Sequence, residues 1–427
     1  MKKVTAVLLG AGQRGAGAYA PYAIEFPEEL QFVAVAEPDE KRREEFKKVH
    51  KIQDKYCFES WEELMEQPKL ADAILICTQD RMHYEPTIKA LEKGYHVLLE
   101  KPMSYDAKEC VSMGEYAKKY NRVFSICHVL RYTPFFRTIK KLLEDGRIGK
   151  LMSIQQIENV AYWHQAHSFV RGNWRNSKES SPMILAKSCH DMDIILWLVG
   201  ADCSKISSFG SLGHFKKEEA PAGAPERCLD GCPAEKECPY YAPKIYIDWI
   251  DNWQADVIRK VVSIDTSKKE LLKALKEGPY GRCVYHCDND VVDHQVVNME
   301  FENGVTAVFT MCAFTYEGGR SIKLMGTKGQ IRCDMEKNII EVRSFVTGKK
   351  EEINLDVSAG GHGGGDLGIM RDFVELVRNE GKVEGVTSAS VSVQSHIMSL
   401  AAERSRLENK IINVRDYIDE IKKDIFK

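Results

Sequence analysis

The sequence predicts an α/β protein whose residues 1–130 form a doubly wound parallel sheet. Three observations support this fold class. The run from Val4 to Leu9 is apolar and partly β-branched, as a buried parallel strand is, and it leads directly into a glycine-rich turn. Apolar strand-like runs alternate with helix-forming segments throughout this region. A length of 427 residues is sufficient for a second domain with its own core.

The composition argues against nucleic-acid binding and membrane insertion. The net charge is −3, neither sign dominates, and no apolar run is long enough to span a bilayer. The basic start resembles a signal peptide, but its apolar run is short and leads into glycines without a cleavage site, so we interpret it as the first strand. We therefore expect a cytoplasmic protein, in which the thirteen cysteines are free thiols or metal ligands.

The turn Gly10-Ala11-Gly12-Gln13-Arg14-Gly15 predicts a dinucleotide-binding site. Gly10 permits the tight turn, Gly12 lets the backbone approach a pyrophosphate, and Gly15 lets the next helix pack on the strand. The N-terminus of that helix offers free N–H groups and a positive dipole end to the phosphates. The predicted cofactor contacts of the turn are Gly10, Gly12, Gln13, Arg14 and Gly15.

The next strand, Phe32 to Ala36, ends at Glu37. An acid at this point accepts hydrogen bonds from the ribose hydroxyls and repels a 2′-phosphate, which favours NAD over NADP. The cations Lys41, Arg42 and Arg43 follow closely and can weaken that preference.

Three later strands are expected to end at the same edge of the sheet. Ala71 to Cys77 leads into the loop from Thr78 to His83, His96 to Leu99 leads into Glu100-Lys101-Pro102, and Arg122 to Cys127 leads into the segment from His128 to Arg131. Ligands of such sheets lie at the carboxyl ends of the strands. Lys101 would therefore point an ammonium into the cleft, and a solvated surface lysine is the alternative.

These motifs together resemble those of the glucose–fructose oxidoreductase and inositol dehydrogenase (Gfo/Idh/MocA) family. The resemblance implies NAD or NADP in the N-terminal domain and a sugar, polyol or similar substrate against a C-terminal α+β domain, residues 131–427, with an open, mostly antiparallel sheet. It places Lys101 between nicotinamide and substrate, and it implies a homodimer or homotetramer. Beyond the glycine turn, the implied cofactor contacts are Glu37, Thr78, Gln79, His83, Glu100, Lys101 and Arg131.

The segment from Ile184 to Asp193 opens a helix and contains His190. By the resemblance, His190 is the histidine that contacts or deprotonates a substrate hydroxyl, a task that suits a side chain titrating near neutral pH. Many family members have Asp four residues earlier, where this chain has Ala186 followed by Lys187. We expect Lys187 to join Lys101 at the reacting hydroxyl as an auxiliary catalytic residue, and a structural ion pair is the alternative.

Several segments of the C-terminal half combine aromatic and hydrogen-bonding side chains, as sugar sites do. Two of them span 163–167 and 169–175, for which a packed aromatic cluster is the alternative. In the third, 360–366, five glycines surround one histidine and leave the backbone free to approach a ligand. That loop resembles one in the family's NAD-dependent N-acetylgalactosaminidases, and a functionless hinge is the alternative. The predicted substrate contacts are His128, Trp163, His164, Arg171, Trp174, Asp191 and His362.

Residues 204–290 are expected to form a cysteine-rich insertion. Four thiolates can hold a structural zinc ion, and the predicted ligands are Cys228, Cys232, Cys238 and Cys283. The spacing departs from paired C-x2-C zinc ligands and from the common iron–sulfur runs, so reduced thiols in a long loop are the alternative. After the insertion, two apolar runs flank Glu302-Asn303-Gly304 and predict a β-hairpin.

The expected function is that of an NAD-dependent dehydrogenase that removes a hydride from a secondary hydroxyl of a sugar, polyol or sugar derivative. Lys101 and His190 are the predicted acid/base pair. The first alternative is a glycoside-cleaving hydrolase or lyase that uses bound NAD in an oxidation–elimination sequence. The second alternative is a catalytically silent NAD-binding regulator, which would not need either Lys101 or His190.

Overall fold

The computed structural model describes residues 2–249, 253–355 and 361–425. Its first sheet has six parallel strands in the order β3-β2-β1-β4-β5-β6, which confirms the doubly wound parallel sheet. The strands are β1 Val4–Leu9, β2 Leu30–Ala36, β3 Cys57–Phe58, β4 Ala73–Ile76, β5 His96–Leu99 and β6 Phe124–Ile126. The helices between them are a π-helical turn Gln13–Tyr19, α1 Pro21–Glu25, α2 Glu40–His50, α3 Trp61–Glu66, α4 Tyr84–Glu92 and α5 Ala107–Tyr120.

The second sheet has nine strands in the order β14-β13-β12-β11-β7-β10-β9-β8-β15. Only β7 and β10 pair in parallel, so the open, mostly antiparallel sheet implied by the resemblance is also confirmed. The strands are β7 Leu151–Ala161, β8 Cys203–Ser211, β9 His294–Phe301, β10 Thr306–Thr315, β11 Gly319–Gly326, β12 Gly329–Asp334, β13 Ile339–Ser344, β14 Lys350–Asn354 and β15 Ile412–Asn413. Burial alternates along β9, as expected for a sheet with one packed face.

The helices of the second half are α6 Pro134–Glu144, α7 Tyr162–His164, α8 Met183–Ala186, α9 Cys189–Val199, α10 Trp253–Val262, α11 Lys268–Glu277, α12 Gly365–Arg378, α13 Ala389–Glu408 and α14 Val414–Ile425. Helices α9, α13 and α14 pack on the nine-stranded sheet, whereas α10 and α11 belong to the insertion and α12 reaches the first sheet. In the described part of the chain, no helix is both long and apolar enough to cross a membrane.

Helix α12 packs on the N-terminal sheet although it lies late in the sequence. Ile369 and Phe373 share a buried cluster with Val4, Leu8 and Phe32. The predicted C-terminal domain therefore contributes a helix to the core of the dinucleotide-binding half. The segment just before α12, the glycine-rich loop, is carried to the edge of the first sheet. This loop was predicted over residues 360–366, and its first residue, Gly360, lies outside the described residues.

The predicted insertion, residues 204–290, includes most of β8, which pairs with β9 in the nine-stranded sheet. The segment between β8 and β9 contains α10, α11 and a π-helical turn, Lys244–Asp248. It has a separate core in which Phe215, Tyr246 and Val284 pack against Trp163 and Val170. The insertion thus rests on the segment after β7, beside the candidate site.

Candidate active site

The glycine turn has the shape that a pyrophosphate needs. Gly10 has φ +87°, and a Cβ on it would lie 2.5 Å from the carbonyl oxygen of Cys77. A Cβ on Gly15 would lie 2.2 Å from the carbonyl oxygen of Gly10. In contrast, a Cβ on Gly12 would meet only Arg42 Nη1, at 4.0 Å. The space in front of the Gln13–Tyr19 helix is therefore open, and the residues present fit a dinucleotide there.

Glu37 is fixed beside this turn. Its buried carboxylate accepts hydrogen bonds from the main-chain N–H of Ala11 (2.7 Å) and of Asp39 (3.0 Å). Arg43, one of the cations expected to weaken the preference for NAD, donates instead to the carbonyl oxygens of Glu37 and Pro38. The acid therefore stands at the end of β2 with its charge next to the position expected for the ribose.

The loop after β4 is tied to the loop after β5 by His83. The imidazole Nδ1 lies 2.7 Å from the carbonyl oxygen of Pro102, and Nε2 lies 3.1 Å from that of Thr78. The side chain is buried, so the structure gives His83 a bracing role between two strand ends. Gln79 in the same loop is exposed, and the hydroxyl of Thr78 donates to Met82 O.

Arg14 does not extend toward open solvent in front of the turn. Its Nε lies 2.5 Å from Glu100 Oε1, and its Nη2 lies 2.8 Å from Asp366 Oδ1. Tyr19 donates to the same oxygen of Glu100, whose other oxygen accepts the N–H of Lys101 at 2.6 Å. Burial opposes ionisation of Glu100, but the charges of Arg14 and Lys101 hold its pKa below the usual range. Arg14 and Glu100, which were both predicted to contact the cofactor, thus bond to other residues of the protein.

Lys101 lies among three histidines at the mouth of the cleft. Its Nζ donates to the carbonyl oxygen of Ala186, at the end of α8, over 3.1 Å. Burial lowers the pKa of His128, His164 and His190 well below its usual range, and the charge of Lys101 contributes in each case. The three imidazoles are therefore neutral at physiological pH and can accept protons. The structure thus brings Lys101 and His190 together.

His190 is 7% exposed, and its ring centroid lies 6.0 Å from that of His128 and 6.1 Å from that of His362. Among the described residues, His190 Nδ1 is buried without a hydrogen-bond partner. This nitrogen is enclosed by protein, so its lack of a partner does not by itself mark a ligand contact.

Lys187 and Asp191 belong to a buried charge network on the floor of the cleft. Lys187 Nζ lies 3.1 Å from Glu158 Oε1. Arg320 Nε lies 2.9 Å from the other carboxylate oxygen of Glu158, and Arg320 also donates to both oxygens of Asp191, at 2.8 and 3.0 Å. Gln156 donates to Asp191 Oδ1. Burial raises the pKa of Glu158 despite its two cationic neighbours. Asp191, fully buried and bonded to Arg320, orients the network and lacks a free face for substrate.

Arg131 is also positioned differently from the prediction of a cofactor contact. It is 2% exposed and donates to both carboxylate oxygens of Asp193, each at 2.7 Å. Its Nη1 donates to the carbonyl oxygen of Val386. The bidentate pair fixes helix α9, and Nε, Nη1 and Nη2 of the guanidinium all donate to protein oxygens.

The aromatic segments divide between the pocket and the insertion. His164 is near both lysines, whose charges help to lower its pKa, and Trp163 stacks on it with centroids 5.4 Å apart. Trp174 is 38% exposed. Arg171 is fully buried and donates to the carbonyl oxygens of Arg282 and Tyr240. The structure therefore assigns Arg171 to support of the insertion and not to the substrate pocket.

The predicted zinc ligands line one small cavity together with Arg171: they are Cys228, Cys232, Cys238 and Cys283. All thirteen cysteines are free thiols. Within residues 2–249, 253–355 and 361–425, however, no group of three or more His, Cys, Asp or Glu side chains is arranged to hold a metal ion. The zinc site stays a prediction that a metal analysis of the purified protein would test.

Sequence reasoning missed three residues of the site. Glu158 and Arg320 lie on β7 and β11, in strands whose alternation predicts only which side chains face inward. Asp366 follows His362 by four residues, a spacing that brings two side chains together at a helix start. This four-residue spacing was the one feature of the sequence that could have identified Asp366 as a partner of His362.

A dinucleotide-binding turn facing a lysine and neutral histidines defines the class of protein as an NAD-binding oxidoreductase. The model of an oxidoreductase family with an NAD-binding Rossmann fold matches residues 4–128. The model of the C-terminal alpha/beta domain of the same oxidoreductase family matches residues 140–406. The chain therefore belongs to the Gfo/Idh/MocA oxidoreductase family.

Relatives within this family differ in their reactions. The chain is 24% identical over 334 residues to "Putative oxidoreductase YteT" of Bacillus subtilis, a match that covers 74% of each chain. It is 28% identical over 139 residues to 2,7-anhydro-N-acetylneuraminate hydratase of Mediterraneibacter gnavus, covering 33% of this chain and 36% of the hydratase. Levoglucosan dehydrogenase, solved with NADH and levoglucosan, superposes with a TM-score of 0.71 at 16% identity, covering 96% and 99% of the two chains. This last likeness shows the shared fold.

Proposed function

We propose that the protein catalyses hydride transfer between NAD and a secondary hydroxyl of a sugar, polyol or sugar derivative. The observation that carries this proposal is the position of Lys101. Its ammonium lies at the carboxyl edge of the parallel sheet, bonded to Ala186 O and close enough to three neutral histidines for its charge to lower their pKa. This is a place where an alcohol oxygen can meet a proton donor and a proton acceptor together.

The proposed roles follow from the charge states. His190 is neutral because burial lowers its pKa, and although the lowered pKa makes it a weak base, the hydroxyl becomes strongly acidic as hydride leaves its carbon, so His190 can take the proton at that stage. Lys101 donates a hydrogen bond to the same oxygen and stabilises the negative charge that develops there. NAD, when bound, supplies the hydride acceptor. Lys187, paired with Glu158, is an auxiliary cation that fixes the floor beneath the hydroxyl.

We also propose NAD in preference to NADP. The carboxylate of Glu37 is held by two main-chain N–H groups beside the turn, and a negative charge there repels a 2′-phosphate. Arg43 is bonded to main-chain carbonyl oxygens and is not directed at the ribose position. The position of Glu37 and the bonding of Arg43 both support the preference for NAD over NADP that the sequence indicates.

A reaction without net oxidation is the second candidate. His362 lies 6.1 Å from His190 between ring centroids, so the pocket contains a further group that can move a proton. One relative is named a hydratase, a name for the addition of water without net oxidation. A protein that oxidises a ring hydroxyl, promotes elimination or hydration at the neighbouring carbon and then returns the hydride would use this additional histidine.

One experiment separates the two candidates. The purified protein is incubated with excess NAD and a panel of sugars, anhydrosugars, glycosides and inositols, while NADH absorbance and organic products are followed together. Accumulation of NADH with an equal amount of ketone supports the dehydrogenase. Product formation without NADH supports the redox-neutral reaction. Full activity in a Lys101→Met variant would contradict both, because both require proton handling at the oxidised hydroxyl.

A further inference from the structure

The loop before α12 holds His362 in an unusual backbone conformation. His362, Gly363 and Gly364 have φ values of +49°, +61° and +86°. The left-handed region is unfavourable for a residue with a side chain, so other contacts must hold His362 there. Such strain is typical of functional sites.

Asp366 makes those contacts. Both of its carboxylate oxygens lie 3.2 Å from His362 Nδ1. A carboxylate only accepts hydrogen bonds, so a hydrogen bond to Asp366 requires hydrogen on His362 Nδ1 and leaves Nε2 for another partner. Burial alone would raise the pKa of Asp366, but the hydrogen bond from His362 and the charge of Arg14 hold it below the usual range.

Arg14 connects this pair to the dinucleotide turn. Its Nη2 donates to Asp366 Oδ1 over 2.8 Å, and its Nε donates to Glu100 Oε1 over 2.5 Å. Arg14 Nη1 also lies 3.4 Å from His362 Nδ1, where two donors cannot bond to each other. One guanidinium thus joins three segments, which are the turn after β1, the end of β5 next to Lys101, and the loop before α12.

We propose that Asp366 is the positioning residue of His362 and that Arg14 ties this pair to the dinucleotide-binding turn. Asp366 selects the ring form with hydrogen on Nδ1 and presents Nε2 to the pocket beside His190. Arg14 acts on His362 and Lys101 through the two carboxylates rather than as a phosphate ligand. The inference rests on the proposed function only for the location of the substrate.

Nitrogen NMR of the histidine rings tests the first part. Protein with 15N-labelled histidine is measured near neutral pH, with and without NAD, and the His362 signals are assigned from a His362→Gln variant. We expect hydrogen on Nδ1 in the wild type. In Asp366→Ala, Arg14 is the remaining neighbour of Nδ1 and can only donate, so the hydrogen is expected to move to Nε2.

Two further variants control this measurement. Asp372→Ala removes another carboxylate of α12, one that accepts from Tyr132, and is expected to leave the His362 signals unchanged. If Asp366→Ala fails to fold, as judged by circular dichroism, Asp366→Asn retains one acceptor oxygen and is expected to give a mixture of the two ring forms. Hydrogen on Nδ1 alone in a folded Asp366 variant would overturn the proposal.

NAD binding tests the second part. Arg14→Lys keeps the charge but cannot span both carboxylates. We expect its Kd for NAD, from calorimetry, to stay within about threefold of the wild type, whereas loss of a charge-assisted phosphate contact would weaken binding about tenfold or more. The larger change would overturn the assignment of Arg14. Arg378→Lys, at the far end of α12, is the matched control because Arg378 donates to the carbonyl oxygens of Lys2 and Glu29 and pairs with the Glu29 carboxylate, away from the glycine turn.

None of these readouts needs a sugar substrate. A protein that turns over no member of the panel can still show the predicted ring form and the predicted NAD affinity. Conversely, a confirmed dehydrogenase whose His362 ring is indifferent to Asp366 would retain the proposed function and lose this inference.

Discussion

The ammonium of Lys101 donates a hydrogen bond to the main-chain carbonyl oxygen of Ala186 over 3.1 Å. Lys101 ends a strand of the dinucleotide-binding sheet, and Ala186 ends a short helix of the other half of the chain. A single bond therefore joins the end of the first sheet to the second half of the chain and fixes the position of the cation. Ala186 has no polar side chain, and its main-chain oxygen takes the contact.

Substitution of Lys101 tests the proposed chemistry. Lys101→Met keeps most of the side-chain volume and removes the charge. We expect kcat/KM on the substrate found in the panel to fall by roughly 10²- to 10⁴-fold, the usual contribution of a positioned acid or base. The Kd for NAD is expected to change much less, because the glycine turn and Glu37 are untouched.

Lys108→Met is the control for that variant, since Lys108 is an exposed lysine paired with Asp424 on the surface. It is expected to behave as wild type. If Lys101→Met retained more than about a tenth of the activity, Lys101 would not be part of the acid/base pair.

Substitution of Glu37 tests the proposed preference for NAD over NADP. Glu37→Gln keeps an oxygen for the N–H of Ala11 or Asp39 and removes the charge that repels a 2′-phosphate. We expect the ratio of the two Kd values to shift toward NADP by about tenfold, as for loss of one charged contact. Glu59→Gln, an exposed carboxylate 3.5 Å from Arg43, is the control. If the ratio of the two Kd values were unchanged in Glu37→Gln, residues other than Glu37 would determine the preference between NAD and NADP.

The sequence predicted the nucleotide-binding half well because its signals are local. Gly15 is required by a contact within the turn, Gly10 is required by its positive φ and by the neighbouring strand end at Cys77, and Glu37 directly follows its strand. Strand ends of a parallel sheet meet at one edge, so Lys101 could be placed from topology alone.

The charged residues of the second half could not be assigned in that way. Arg131, Arg171 and Asp191 have the chemistry of site residues, and only the fold shows that carboxylates or carbonyl oxygens already bind them. Helix α12 is a second example, because its apolar face predicts burial without saying which sheet buries it. Contacts between residues far apart in sequence were missing from the prediction in both cases.

Acid is expected to destabilise the protein through its buried histidines. Burial lowers the pKa of His96 to about 4 and that of His396 to about 3. Above about pH 6.5 both histidines are neutral in the folded and in the unfolded state, so their titration does not change the free energy of unfolding. Below about pH 6.5 the two histidines are protonated in the unfolded chain but stay neutral in the folded chain. The free energy of unfolding therefore falls as the pH drops toward their folded-state pKa, by up to about 1.4 kcal/mol per pH unit for each histidine.

Urea denaturation between pH 8 and pH 4 measures this effect. His396→Gln removes one titrating group and retains an acceptor for the N–H of Met103, which His396 Nε2 accepts in the wild type. The variant should therefore show a shallower loss of stability below about pH 6.5. An identical pH dependence in the two proteins would mean that His396 is not held neutral by the fold.

The last prediction concerns Arg131 and Asp193, a buried pair with 2% and 1% side-chain exposure. If Arg131 supports the fold and does not bind cofactor, Arg131→Met should leave an unpaired buried carboxylate and lower the free energy of unfolding by about 3–5 kcal/mol. Asp193→Leu should cost a similar amount, and the double variant should recover much of the loss because no charge is then stranded. Urea unfolding gives the free energies, and calorimetry gives the NAD affinity of each folded variant. A stable Arg131→Met protein with NAD affinity reduced about tenfold or more would instead return Arg131 to the cofactor site.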